Sequence, residues 1–190
     1  MEKIERVTKE TKISCTLDIN GTGKSSIKTG IGFFDHMLEA FSKHSGIDIE
    51  IDCNGDLHVD DHHSVEDCGI VIGQLLKKEI FPIQNVERYG NATVVMDEAS
   101  VTCALDLSNR PFLVYEMDIF GKVGSFDTEL AEEFFHAVVM NIGITAHIIQ
   151  DRGRNKHHII EAAFKAFAVA LRRALVANEK LGIPSTKGVL

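Results

Sequence analysis

The chain has 190 residues, 44 % hydrophobic and 25 % charged, with a formal net charge of −8. That length holds one substantial core or two small half-domains sharing one, and the acidity argues against a nucleic-acid partner and a basic membrane-binding face. No apolar run reaches the length of a membrane span, the charged start MEKIERVTKE has no apolar h-region, and the four cysteines form no C-x-x-C pair; a cytoplasmic protein with reduced thiols is the expectation.

In chain order, Ile13, Cys15, Leu17 and Ile19 alternate as in a half-buried strand. The turn NGTGKSS and a short strand near Ile27 follow. Phe34, Met37, Leu38 and Phe41 have helical spacing, with Gly46 closing the helix. Ile47, Ile49 and Ile51 read as a strand, and a helix is expected from about Ser64 to Lys78. The segment IFPIQNVERYG (80–90) carries the Pro and Gly of a connection. Beyond it the pattern predicts strands near 92–96, 100–107 and 112–119, a helix near 128–142, a strand at 144–149 and a helix near 156–178.

The order strands, helix, strand, helix thus occurs twice, and so do the residues. ETKISCTLDI (10–19) matches EASVTCALDL (98–107) at an offset of 98 − 10 = 88. Gly46 matches Gly143 at an offset of 97, each following an acidic-led helix, and HHSVEDCGIVIGQLL (62–76) matches HHIIEAAFKAFAVAL (157–171) at 95. Three blocks in one order at nearly constant offset indicate an internally duplicated half-domain, 1–86 and 87–190, forming together one compact α+β domain with sheets packed against helices.

The nine histidines are the unusual feature. DHHSVED (61–67) and KHHIIEA (156–162) each carry His-His-x-x-Glu at a helix start. Positions i and i+4 share a helix face, so His62 with Glu66, and His157 with Glu161, can each grip one ion. His63 and His158, one residue on, point about 100° away and suit a second ion. His36 aligns with Glu133 at the same offset of 97. The candidate ligands are His36, His62, His63, Glu66, Glu133, His157, His158 and Glu161, enough for two sites of four. One His-His pair reads as a capping or surface feature; the same motif at equivalent places in both repeats does not. Imidazole and carboxylate without thiolate suit Mn, Fe(II), Co or Zn, and open positions favour catalysis over structure. His44, His58, His136 and His147 have no repeat partner of the same type and read as surface or core residues.

With these blocks the chain resembles the imidazoleglycerol-phosphate dehydratases of histidine biosynthesis over nearly its full length. RVTKET (6–11), GIGFFDHML (30–38), GDLHVDDHHSVED (55–67), DEA (97–99), LDLSNRP (105–111), FDTELAEEFF (126–135), KHHIIEAAFKAFAVALRRAL (156–175) and IPSTKGVL (183–190) carry the resemblance. It implies a duplicated, ribosomal protein S5 domain 2-like fold, two Mn(II) ions per active site, and trimers assembled into a 24-subunit particle with each site built between subunits. Many members have His-Phe-Phe where this chain has Glu133-Phe134-Phe135; a carboxylate can replace imidazole at Mn(II), so Glu133 stays among the ligands.

The implied reaction dehydrates D-erythro-imidazole glycerol phosphate to imidazole acetol phosphate. The hydrogen lost is not next to a carbonyl, so a simple base is too slow. A ring bound through its nitrogens to metal can lose a proton, expel the neighbouring hydroxyl and then give an enol that becomes the ketone. Glu66 and Glu161 count among the catalytic candidates as well as the ligands. Proton transfer needs a positioned carboxylate, for which the family motif points to Glu10, with its repeat partner Glu98 in reserve. Arg88 and Arg110 match the family's phosphate-binding arginines, whose guanidinium suits bidentate contact, and Lys165, Ser185, Thr186 and Lys187 match the rest. Two other classes use the same ligands: an oligomeric metal-binding scaffold, which needs none of the phosphate residues, and a metal-dependent phosphoesterase, which releases phosphate.

Overall fold

The computed structural model describes residues 1–188; Val189 and Leu190 of the tail motif lie outside them. The first half runs β1 (Glu2–Val7), β2 (Thr11–Asp18), β3 (Ser25–Lys28), α1 (Gly32–Ser45), β4 (Asp48–Gly55) and α2 (His62–Ile80). The second runs β5 (Tyr89–Met96), β6 (Ala99–Asp106), β7 (Phe112–Glu116), a small hairpin of β8 (Lys122–Val123) and β9 (Phe126–Asp127), α3 (Glu129–Ile142), β10 (Thr145–Arg152) and α4 (Lys156–Ala174). The four-stranded sheets have the same topology, β1-β2-β4-β3 and β5-β6-β10-β7. In each the last-named strand joins in parallel, and the other neighbours are antiparallel.

Why these residues build these elements is legible locally. In β2, Thr11, Ile13, Cys15 and Leu17 face inward, and β6 buries Ala99, Val101, Cys103 and Leu105 in the same rhythm. Helices α1 and α3 each end on a left-handed glycine: Gly46 donates its N–H to the Ser42 carbonyl and Gly143 to that of Val139. Those helices start at residues 32 and 129, an offset of 97, so His36 and Glu133 occupy equivalent turns.

Each sheet buries one face against its own pair of helices, and the helices then pack across the halves: α1 lies on α4, and α2 on α3. Between them rings from both halves interlock, with Phe34–Phe134, Phe134–Phe164 and Phe135–Phe164 centroids 5.3, 5.1 and 4.7 Å apart. Each such pair contributes about 0.5–1.5 kcal/mol beyond the area it buries. The α2–α3 seam is tight because α2 presents Gly69 and Gly73. A Cβ on Gly69 would stand 2.8 Å from the Ala137 Cβ, and one on Gly73 2.8 Å from the Val138 carbonyl oxygen.

The structure corrects the sequence reading at several points. Strand β1 was not anticipated from MEKIERVTKE, because Ile4 is its one inward apolar side chain; Arg6 also turns in and binds Asp67 on α2 through Nε and Nη2 at 3.1 and 2.9 Å. The β8–β9 hairpin was likewise not expected. Strand β7 stops at Glu116, short of 119, and α2 starts at His62 and reaches Ile80. Helix α4 ends at Ala174 rather than near 178 because the chain leaves to pair with the inter-half connection: Arg88 donates its N–H to the Ala174 carbonyl and Glu87 to that of Val176. No helix among the described residues is long and apolar enough to cross a membrane.

Gly90 on β5 faces α4 so closely that a Cβ would collide with the Ala170 carbonyl oxygen. Backbone cannot yield as a side chain can, so Gly90→Ala should destabilise the fold by about 3 kcal/mol, the upper end of the overpacking range. Gly32→Ala, whose Cβ would meet nothing within 4 Å, should change stability by less than about 0.5 kcal/mol. Urea midpoints of the two variants check this.

Candidate functional site

At the α1–α4 seam, side chains from both halves meet around one carboxylate. Asn155 caps α4 by accepting from the N–H groups of His157 and His158. The helix it starts then presents His157, Glu161 and Lys165 at i, i+4 and i+8 toward α1. Glu161 Oε2 lies 3.1 Å from His157 Nε2 and 3.5 Å from His36 Nε2, while Oε1 takes Lys165 Nζ at 2.7 Å. Phe33 packs edge-on to the His157 ring, centroids 5.1 Å apart. Burial alone would raise the Glu161 carboxyl; the Lys165 ammonium, with His36 and His157, outweighs it and holds the group below its ordinary value of 4.5. Among the described residues this is the one group of three or more His, Cys, Asp or Glu whose donor atoms lie within 4.8 Å of one another.

The first-half counterpart is looser. His62 Nε2 and Glu66 Oε2 stand 3.8 Å apart. Glu133, half-buried on α3, makes no side-chain hydrogen bond or ion pair among the described residues. Of the eight expected ligands, one chain therefore brings together three, leaves His62 and Glu66 as a pair with Glu133 apart, and turns the second histidine of each motif elsewhere.

Those second histidines each find a carboxylate. His158 Nδ1 pairs with Glu98 Oε2 at 2.8 Å, and its Nε2 lies 3.8 Å from Asp97. Glu98 also accepts the N–H groups of Arg154 and Asn155; with the His158 contact these pull its carboxyl down to about 2. His63 Nδ1 pairs instead with Asp56, 3.0 and 3.2 Å from its two oxygens, and its Nε2 lies 3.7 Å from Glu10. The sequence gives no signal for Asp56, which lies in a loop without periodicity, seven residues before His63 in GDLHVDDHH. Of the remaining histidines, His58, His136 and His147 are exposed and His44 is half-buried.

The residues matched to phosphate binding, apart from Lys165, gather in a second place. A cavity of about 390 Å³ is lined by Arg88, Arg110, Ser108 and the tail residues Ser185, Thr186 and Lys187. Arg88 is buried and holds a left-handed φ of 69°, a conformation that costs a bulky residue of order 1 kcal/mol. Its guanidinium keeps it there: Nε and Nη2 donate to the two Asp106 oxygens at 2.7 and 3.0 Å, and Nη1 donates to the Pro184 carbonyl at 2.6 Å. Arg110 is exposed, with Nη2 3.8 Å from Asp106. Lys165 lies instead with the histidines, on Glu161.

The two places sit at opposite ends of β6. Glu98, which precedes that strand, touches His158, while Asp106, its last residue, holds Arg88. Eight residues of strand span roughly 25 Å, so a three-carbon phosphate ester cannot join the cation cavity and the histidine cluster of one chain.

Two outcomes follow from this geometry. Arg110→Ala, which removes an exposed cation, should leave stability within about 0.5 kcal/mol yet weaken inorganic phosphate binding, whereas Arg88→Ala should also lower the unfolding temperature, because it strands Asp106 and frees the tail. Calorimetry with phosphate, alongside thermal melts, separates them. The Glu98 contact raises His158 above its ordinary value of 6.5, so its stabilising contribution is fully present below that value and is lost as pH rises through the raised one. In metal-free protein the advantage of the parent over Glu98→Gln in unfolding temperature should therefore be larger at pH 6 than at pH 9.

Comparison with known proteins agrees with these features. A family model described as Imidazoleglycerol-phosphate dehydratase matches residues 29–171. Proteins of that name from Aliarcobacter butzleri and Sulfurovum sp. are 76 % and 65 % identical to this chain, each over 190 residues and the full length of both sequences. The crystal structure of imidazoleglycerol-phosphate dehydratase from Staphylococcus aureus superposes with a TM-score of 0.82 at 45 % identity, covering 93 % of this chain and 98 % of that one. The structure of the Pyrococcus furiosus enzyme superposes with a TM-score of 0.85 at 38 % identity, covering 98 % and 100 %. With the duplicated halves and both His-His-x-x-Glu helices in place, the chain belongs to the imidazoleglycerol-phosphate dehydratase family.

Proposed function

We propose that this chain is a hydro-lyase that dehydrates D-erythro-imidazole glycerol phosphate to imidazole acetol phosphate in L-histidine biosynthesis, with two Mn(II) ions per active site. The observation that carries the reading is the convergence of His36, His157 and Glu161 from both halves on one point. The donor set fits the metal: imidazole and carboxylate without thiolate, with a His157–Glu161 separation of 3.1 Å, near the roughly 3 Å between adjacent ligands of a six-coordinate ion with bonds of about 2.1 Å. A biosynthetic role also accords with the cytoplasmic setting expected from the sequence.

The duplication suggests how the ligands divide. His36, His157 and Glu161 would hold one ion; their repeat equivalents Glu133, His62 and Glu66 would hold the other. His63 and His158, turned off these groups, would complete the ions of neighbouring chains. The span of β6 supports the same sharing, since it sets the Arg88–Arg110–Lys187 cavity apart from the His36–His157–Glu161 cluster of the same chain. Self-association of trimers into a 24-subunit particle accords with that requirement.

When bound, Mn(II) supplies a Lewis acid and a template for the imidazole ring. The chain's own groups do the rest. Arg88, Arg110, Ser185, Thr186 and Lys187 hold the phosphate and fix the position of the three-carbon arm. Lys165 would reach the substrate from the metal end, where Glu161 holds its ammonium. Glu10 moves the proton at the carbon next to the one that loses its hydroxyl. Its carboxylate is exposed, and its loop is set by the Thr8 hydroxyl, which accepts the Glu10 and Thr11 N–H groups. Glu98, bound by three donors, is not free for that work.

The test is an assay of the protein with imidazole glycerol phosphate, with and without Mn(II). Ketone should form with metal and fade on chelation. No ketone from the metal-loaded protein would overturn the reading, and free phosphate would indicate a phosphoesterase instead. Glu10→Gln should bind substrate normally and lose a factor of about 10²–10⁴ in kcat; normal turnover would remove Glu10 from its role.

A further inference from the structure

The repeated halves hold their second histidines by different means. In the second half Glu98 sits on a two-residue hairpin turn, since Met96 pairs directly with Ala99, and from there its carboxylate reaches His158 Nδ1 at 2.8 Å. In the first half the corresponding turn is longer. Val7 pairs with Lys12, and the Thr8 hydroxyl organises the residues between them. Glu10, the repeat partner of Glu98, consequently stays 3.7 Å from His63 Nε2 and never reaches Nδ1.

Asp56 fills the gap. It lies just beyond β4, it donates its N–H to the Glu10 carbonyl at 3.1 Å, and its side chain holds His63 Nδ1. One residue thus fixes both the loop that carries Glu10 and the ring beside it. The second half cannot copy this arrangement. Lys12 on β2 faces Asn54 and its repeat equivalent Ser100 on β6 faces Arg152, because a bulge between Gln150 and Arg152 adds one residue to β10; Gly153 therefore matches Gly55, and Arg154 stands where Asp56 does. An arginine side chain offers no acceptor to a ring N–H; the Arg154 backbone N–H donates to Glu98, and Glu98 does the orienting instead.

We infer that Asp56 is a positioning residue: it holds His63 as the Nδ1–H tautomer with Nε2 free to ligate, and so releases Glu10 from the orienting role to which Glu98 is committed. A carboxylate behind a ligating imidazole fixes its tautomer and raises its basicity. The inference deepens the metal-dependent reading above and rests on it for the ligating part, though the tautomer is a property of the metal-free protein.

The experiment compares the parent with Asp56→Ala and Asp56→Asn. Histidine-selective ¹⁵N spectra of metal-free protein, at a pH where the rings are neutral, should show His63 as Nδ1–H in the parent and as a mixture in Asp56→Ala. Mn(II) titration calorimetry should show two ions per chain in the parent, and in Asp56→Ala one of the two weakened by about 10–100-fold with the other unchanged. Asp56→Asn, which keeps an oxygen acceptor at the ring, should recover most of that loss. The inference is overturned if the His63 tautomer is the same in parent and Asp56→Ala, or if both ions weaken equally alongside a lowered unfolding temperature. A parent that keeps the tautomer but binds no Mn(II) would defeat the metal-dependent reading and leave the Asp56–His63 assignment standing.

Discussion

Glu161 is held at the seam of the two halves with its oxygens committed in opposite directions, one to His36 and His157, the other to Lys165. A buried carboxylate with no partner is expensive, and Lys165 offsets that cost before any cation arrives. The site is thereby pre-organised: two imidazoles already face a shared oxygen, and the helices that carry them are fixed by the packed rings of Phe34, Phe134 and Phe164 behind them. Because α1 belongs to the first half and α4 to the second, neither half alone can make this cluster. The crosswise packing of helices is the constraint from which the site follows.

How much of this could be read beforehand varies with the physics of each element. Helices α1, α3 and α4 and strands β2, β4 and β6 announce themselves, because a buried face forces a period on the sequence, as Ile13, Cys15 and Leu17 do in β2. The repeat exposed the equivalence of His36 with Glu133, and the helix starts confirm it. Strand β1 stayed hidden because one apolar residue and an inward arginine make no pattern. The roles of Asp56 and Asp106 stayed hidden for another reason. Each acts through a partner distant along the chain or placed by a turn, and no spacing rule connects Asp56 to His63 or Asp106 to Arg88. Even for the eight ligand candidates, spacing could place each pair on a helix face but could not say that only three would meet within one chain.

Arg88 links two distant parts of the sequence. Its guanidinium is clamped by Asp106 at the end of β6, and its Nη1 fastens the Pro184 carbonyl just ahead of Ser185, Thr186 and Lys187. The tail reaches the cavity because this buried arginine holds it there. The chain thereby ties a segment without secondary structure to the end of β6, at the modest expense of one left-handed residue. An anion entering the cavity would meet cations already in place, one of them, Arg110, exposed.

Gly69 and Gly73 let α2 approach α3 closely, but at the matching positions of α4, 95 residues on, stand Phe164 and Ala168. The two interfaces have diverged into a lock and its key. Joining two copies of the first half would set glycine against the wrong surface and omit the ring that fills the centre, while two copies of the second would crowd bulk against bulk. Whatever symmetric ancestor arose from the doubling has since been specialised away, and each half now encodes the shape of the other.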